Sequence, residues 1–230
     1  MSNILIFGDS HARYFEVTPK LKSHAPWLNQ IKSKVFKYPA STIIGFGKRQ
    51  STLNVGKKIV NIIEEDESST RVFCFGQVDL ELGYYYKKVI KEELINYDEF
   101  ITNLIEEYCL FLSKYDNGKL IVKGLNLTVL KNEDFAVKYV SRIITENTND
   151  ETKVQYYTEK LKSELDPFRI RNKAHLDFNI KLKAKAKENG WKYFDINEEL
   201  SNYNADNGIL DQFIPTGDDH HLIDSIFVRI

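Results

Sequence analysis

Apolar residues in this chain fall into short runs, separated by longer stretches in which they recur every three or four positions. Ile4-Leu5-Ile6-Phe7, Val35-Phe36-Lys37-Tyr38, Val72-Phe73-Cys74-Phe75, Leu120-Ile121-Val122 and Trp191 to Ile196 read as strands, the second of them stopped by Pro39. Between the runs, Val55, Ile59 and Ile63 recur at the spacing of one helix face. Ile101, Leu104, Ile105, Tyr108 and Leu112 do the same behind Asp98-Glu99, a pair suited to the positive end of a helix dipole. A further helix is predicted from about Asn172 to Asn189, with Phe178, Leu182 and Ala186 on one side and Gly190 as its stop. Strand alternating with helix predicts an α/β fold, a parallel sheet covered on both faces. The segment at about 131–169 breaks the alternation. It is polar, with helical pieces around Tyr139 to Ile144 and Tyr156 to Leu165, and reads either as a cap over a site or as a helical surface excursion or oligomer contact.

A chain of 230 residues suits one α/β core, so residues 1–230 are expected to form a single domain with 131–169 as an insertion. Hydrophobic residues at 42% and charged residues at 28% describe an ordinary globular protein. With 32 basic against 33 acidic side chains the net charge is −1, which leaves no global field to attract nucleic acid or an anionic membrane. No apolar run approaches the ~20 residues of a membrane span, and the start shows no secretory signal, so a cytoplasmic location is expected. Two cysteines, Cys74 and Cys109, suggest neither a disulfide framework nor a zinc site and read as core thiols.

The chemistry is concentrated at the two ends. The first strand breaks abruptly into Gly8-Asp9-Ser10-His11, which puts a serine at the carboxyl end of a strand, where open α/β sheets bind ligands. Ser10 is thus a candidate nucleophile, although a serine there also suits the cap of a following helix. Near the other terminus, Gly217-Asp218-Asp219-His220-His221-Leu222 supplies the carboxylate and imidazole that a serine nucleophile needs.

Together these blocks resemble the SGNH (GDSL-type) hydrolase superfamily. Gly8, Asp9 and Ser10 match its Gly-Asp-Ser block, and Asp218, His221 and Leu222 match its terminal Asp-x-x-His block. The resemblance implies a flavodoxin-like three-layer sandwich with a five-stranded parallel sheet. It also implies a serine-dependent ester hydrolase that removes a small O-acyl group through an acyl-enzyme, with acetyl on a carbohydrate as the expected substrate and no metal or other cofactor. Ser10 would be the nucleophile, His221 the base and Asp218 its orienting acid. The oxyanion would meet the N–H groups of Ser10 and Gly45, with Gly47 in reserve. The third block departs from the family: after Val72–Phe75 comes Gly76-Gln77-Val78-Asp79, with Val78 where the family has asparagine. Either Gln77 turns its amide into the oxyanion site, or the site has fewer donors than usual. Two alternatives follow, a glycan O-acetyltransferase of the same fold and a degenerate, non-catalytic domain that binds glycan or protein.

If the terminal segment is extended, Asp219 and His220 point away from Asp218 and His221. They and His11 then remain candidates for substrate contact. The set Asp218, Asp219, His220, His221 and His11 has the donor types of a metal site, but neighbours on an extended segment do not all aim at one ion, so none is expected. Tyr84, in Gly83-Tyr84-Tyr85-Tyr86, reads either as an aromatic surface for a sugar ring or as a packing cluster. Asp9 and Asp79 are expected to pin turns, and His175 reads as a surface or boundary residue.

Overall fold

In the computed structural model, which describes residues 3–46, 53–216 and 219–223, five strands form one parallel sheet. They are β1 Ile4–Gly8, β2 Ser33–Lys37, β3 Thr70–Cys74, β4 Leu120–Lys123 and β5 Lys192–Phe194, in spatial order β2-β1-β3-β4-β5. The register runs Phe7 against Phe36 and Phe73, and Phe73 against Val122. Successive residues of β1 and β3 enter opposite layers, as the two-residue period of a strand requires. Leu5, Phe7, Phe73 and Phe75 join the large core, while Ile6, Val72 and Cys74 form a smaller one with Ala12 and Phe15. Buried on both faces, these strands read as continuous apolar runs and not as alternating ones.

The large core is closed by helices α2 Val55–Glu65, α3 Tyr97–Ser113 and α6 Phe168–Glu188, whose Ile59, Leu104 and Phe178 are fully buried. The other face carries the 3₁₀ turn Ser10–Phe15. A short helix, α1 Pro19–His24, leads to β2, and α7 Asn197–Ser201 follows β5. Asn96 caps α3 by accepting the Glu99 N–H, and Asp98-Glu99 occupy its first turn. Helix α6 begins four residues before the predicted start. It has no side-chain cap; instead Arg171 Nε donates to the Asp166 carbonyl just before it. The 131–169 segment holds α4 Glu133–Ile144 and α5 Glu151–Glu164, joined through the hydroxyls of Ser141 and Thr158.

Residues 79–90 are helical, with π-helical turns at Asp79–Gly83 and Tyr86–Ile90. Such wide turns concentrate at functional sites. Here they turn Glu81 inward, to 4% exposure.

The end of β1 is packed too closely for a side chain. A Cβ at Gly8 would lie 2.6 Å from both Ala12 Cβ and the Cys74 carbonyl oxygen. Gly8→Ala is therefore expected to cost about 1–3 kcal/mol through overpacking, read as a lower Tm by differential scanning calorimetry. An unchanged Tm would mean that the turn does not depend on this close approach.

Candidate active site

Two distant segments meet beyond the carboxyl end of β1. Asp9 caps the Ser10–Phe15 turn, and its Oδ1 accepts both the His11 backbone N–H and the His11 ring Nδ1–H, each at 2.9 Å. The terminal segment repeats the device: Asp219 Oδ1 accepts the His221 backbone N–H at 3.0 Å and the His221 Nδ1–H at 2.5 Å. Both are Asp-x-His turns in which the carboxylate folds back onto the ring two residues ahead. The segment docks on the 3₁₀ turn through Tyr14 Oη, which accepts the Leu222 N–H at 2.5 Å, and Arg13 Nη2, which donates to the Leu222 carbonyl at 3.3 Å. Arg13 Nη2 also lies 3.8 Å from Asp219 Oδ2.

This docking brings His221 Nε2 to 2.7 Å from Ser10 Oγ. With Asp219 holding the Nδ1 proton, Nε2 offers its lone pair to the serine hydroxyl. Burial, joined by the charges of His11 and His220, pushes the His221 pKa down to about 4 against the opposing pull of Asp219. The ring is thus an unprotonated base at neutral pH. Asp218 lies outside the described residues; in the structure the carboxylate on His221 belongs to Asp219, which the extended-segment reading had pointing away. Alternation fails there because the turn curls the chain.

His220 also departs from the outward position expected of it. It is buried, its Nδ1 donates to Glu81 Oε2 at 2.8 Å, and its ring stacks on Tyr139 of α4 with centroids 4.9 Å apart. The 131–169 segment therefore contributes a wall to the site. Glu81 also accepts from Gln77 Nε2 at 2.8 Å and lies 3.7 Å from His175 Nε2. Burial alone would raise its pKa, but His175 and His220 outweigh that and hold the carboxyl well below the usual range. His175, read as a surface or boundary residue, is buried.

Two of the expected oxyanion donors, Gly45 and Gln77, are otherwise engaged. Gly45 N–H donates to the Thr42 carbonyl at 3.1 Å within the 3₁₀ turn Ile43–Gly45, and Gly47 lies outside the described residues. Gln77 binds Glu81 and clamps the loop after β4, accepting the Asn126 N–H at 3.1 Å and donating to the Asn126 carbonyl at 3.3 Å. Its amide is thus a strut between two strand ends. Asn179 and Asn197 hold the same loop through Leu125 and Leu127. The Ser10 N–H, at the start of its turn, has no acceptor among the described residues. Tyr84 is no cleft wall: it is 3% exposed and stacked on Tyr97 at 3.9 Å. A groove of about 610 Å³, lined by residues such as Ile44, Lys87, Phe100 and Lys114, includes none of the serine–histidine cluster.

Asp79 Oδ2 accepts the Ile43 N–H at 2.9 Å and so fixes the loop that carries Gly45. Burial pushes its pKa up to about 7 despite that hydrogen bond. The folded value exceeds the unfolded one, so Asp79 favours folding below about pH 4 and loses this contribution as pH rises through about 7. Asp79→Asn keeps an acceptor for Ile43 without the charge. It is expected to reduce the stability that wild type loses between about pH 4 and 7, a term of at most about 4 kcal/mol, measured by urea denaturation. An identical pH slope in both proteins would contradict this.

Neither a protein-family profile nor a curated protein sequence matches the chain. Among solved structures, it is similar to a lipase/acylhydrolase from Enterococcus faecalis, with 14% identity, TM-score 0.50, and 99% of this chain and 90% of that one covered. It is also similar to a gut microbial diltiazem-metabolizing enzyme, with 14% identity and TM-score 0.51, where the match takes in 96% of this chain but only 43% of that one. The parallel sheet in β2-β1-β3-β4-β5 order, helices on both faces and agreement over nearly the whole chain give this protein the fold of the SGNH (GDSL-type) hydrolases.

Proposed function

We propose that the protein is a serine-dependent ester hydrolase in which Ser10 is the nucleophile, His221 the general base and Asp219 the acid that orients it. The observation that carries this reading is the unbroken relay Ser10 Oγ, His221 Nε2, His221 Nδ1, Asp219 Oδ1, built from the two ends of the chain. Ser10 Oγ would attack the ester carbonyl as His221 takes its proton. The protonated ring would then return the proton to the leaving alcohol. A water molecule, deprotonated by the same Nε2, would release the acid and restore Ser10. The rings of His11, His220 and His221, with centroids 4.2–4.7 Å apart, crowd the serine and suit a small acyl group such as acetyl. A carbohydrate carrier rests on the sequence resemblance alone. The test is release of p-nitrophenol from p-nitrophenyl acetate by wild type. Turnover above the buffer rate supports the reading, and turnover at the buffer rate contradicts it.

One observation favours a second reading. With Gln77 and Gly45 committed elsewhere, the Ser10 N–H is the remaining expected oxyanion donor among the described residues. Each missing donor costs about 10²–10³ in turnover, which suits a domain that keeps the relay but binds glycan or protein without turnover. A protein that hydrolyses no ester, forms no serine adduct and binds a glycan or protein would establish that reading.

A further inference from the structure

The relay uses one histidine of three. His11, His220 and His221 each place a ring nitrogen within 4.8 Å of those of the other two, and each ring has its Nδ1 on a carboxylate: Asp9, Glu81 and Asp219. That leaves Nε2 of each ring for another partner. On His221 it faces Ser10 Oγ, while on His11, a residue only 8% exposed, Nε2 is buried without a hydrogen-bond partner. A serine relay needs one histidine on one carboxylate. Three imidazoles, each fixed in tautomer and orientation by its own acid, reproduce instead the carboxylate–histidine pairs that surround bound zinc.

We infer that His11, His220 and His221 form a binding site for a divalent transition metal, Zn²⁺ by preference, through their Nε2 atoms, with a fourth position open beside Ser10 Oγ. Zinc takes three histidines and leaves a fourth position open in many sites, with Zn–N bonds of about 2.0–2.1 Å. Tetrahedral bonds of that length set ligand nitrogens about 3.3 Å apart, so ring nitrogens that lie up to 4.8 Å apart must draw together around the ion. All-nitrogen ligation suits zinc, cobalt or copper and not magnesium or calcium, which prefer oxygen. The buried Glu81, on a π-helical turn and bonded to His220, anchors the ligand that no serine mechanism uses. The site does not depend on the ester-hydrolase reading, but one consequence does. A metal on His221 Nε2 removes the lone pair that would accept the Ser10 proton, so metal binding and serine catalysis exclude each other.

The test is titration of chelator-treated, dialysed protein with Zn²⁺ by calorimetry and with Co²⁺ by visible absorption. One equivalent is expected to bind in wild type and in Ser10→Ala, with the intense visible bands of four-coordinate cobalt. His11→Asn and His220→Gln, which keep a donor for Asp9 and Glu81, are expected to bind at least about a hundredfold more weakly, given that loss of an outer partner alone costs about 10–100-fold. Circular dichroism checks that both remain folded. No binding by folded wild type, or binding unchanged in both variants, would overturn the site. If a variant does not fold, the cobalt spectrum of wild type still decides. Fluorophosphonate labelling of the metal-free protein reports the hydrolase separately. Labelling without metal binding overturns the site and keeps the hydrolase, and metal binding without labelling does the reverse. Where both occur, saturating Zn²⁺ is expected to suppress labelling at least tenfold, and undiminished labelling would refute the exclusion.

Discussion

Ser10→Ala is expected to lower p-nitrophenyl acetate hydrolysis by about 10⁴-fold or more, to the background rate, with circular dichroism unchanged. Ser10 is half-buried at the start of a short turn, and alanine fits there without new contacts, so the loss would report chemistry and not folding. His221→Ala is expected to lose about as much. The double variant should be no worse than either single one, because members of a relay act as one unit and their losses do not add. Multiplied losses would mean that serine and histidine act independently. A Ser10→Ala protein with normal turnover would place the nucleophile elsewhere.

The second large effect separates two adjacent carboxylates. Asp219→Asn is expected to cost about 10²–10⁴ in kcat with a small change in KM, since an amide at that position favours the wrong His221 tautomer and gives no charge to the developing imidazolium. The lower part of that range reflects the part exposure of Asp219 and its contact with Arg13, which keep water and a cation nearby. Asp218→Asn is expected to cost less than tenfold. The reverse order of effects would return the orienting role to the residue that the family spacing selects.

Much of the fold was legible because buried parallel strands have an uncomplicated signature. Ile4–Phe7 and Val72–Phe75 are apolar throughout, and no helix of that length would bury both sides. The start of α6 was not legible, since Pro167 offers no side-chain cap and the first turn is secured by a contact from Arg171. Tyr84-Tyr85-Tyr86 takes the packing alternative, but its helical setting was not legible. Consecutive aromatics suit a strand, yet the helical winding around them buries Tyr84 and Tyr85 and leaves only Tyr86 at the surface.

The site divides in the same way. The meeting of Ser10 and His221 was legible because each lies in a recognisable block. The contact of Asp219 with His221 was not legible from an extended segment, although the repeated Asp-x-His in Asp9-Ser10-His11 and Asp219-His220-His221 was a signal for it. Glu81 gave no such signal. It reaches His220, 139 residues away, only through the π-helical turn that points it inward. The Gln77 amide has the chemistry of an oxyanion donor, but it has an acceptor in Glu81, four residues on along the same helical stretch.

The most direct measurement is intact-mass analysis of metal-free protein after incubation with a fluorophosphonate, followed by peptide mapping. One adduct per chain on Ser10, absent in Ser10→Ala and strongly slowed in His221→Ala, is the predicted result. No adduct on folded, metal-free wild type, or an adduct on another residue, would contradict the claim that Ser10 and His221 form a catalytic relay.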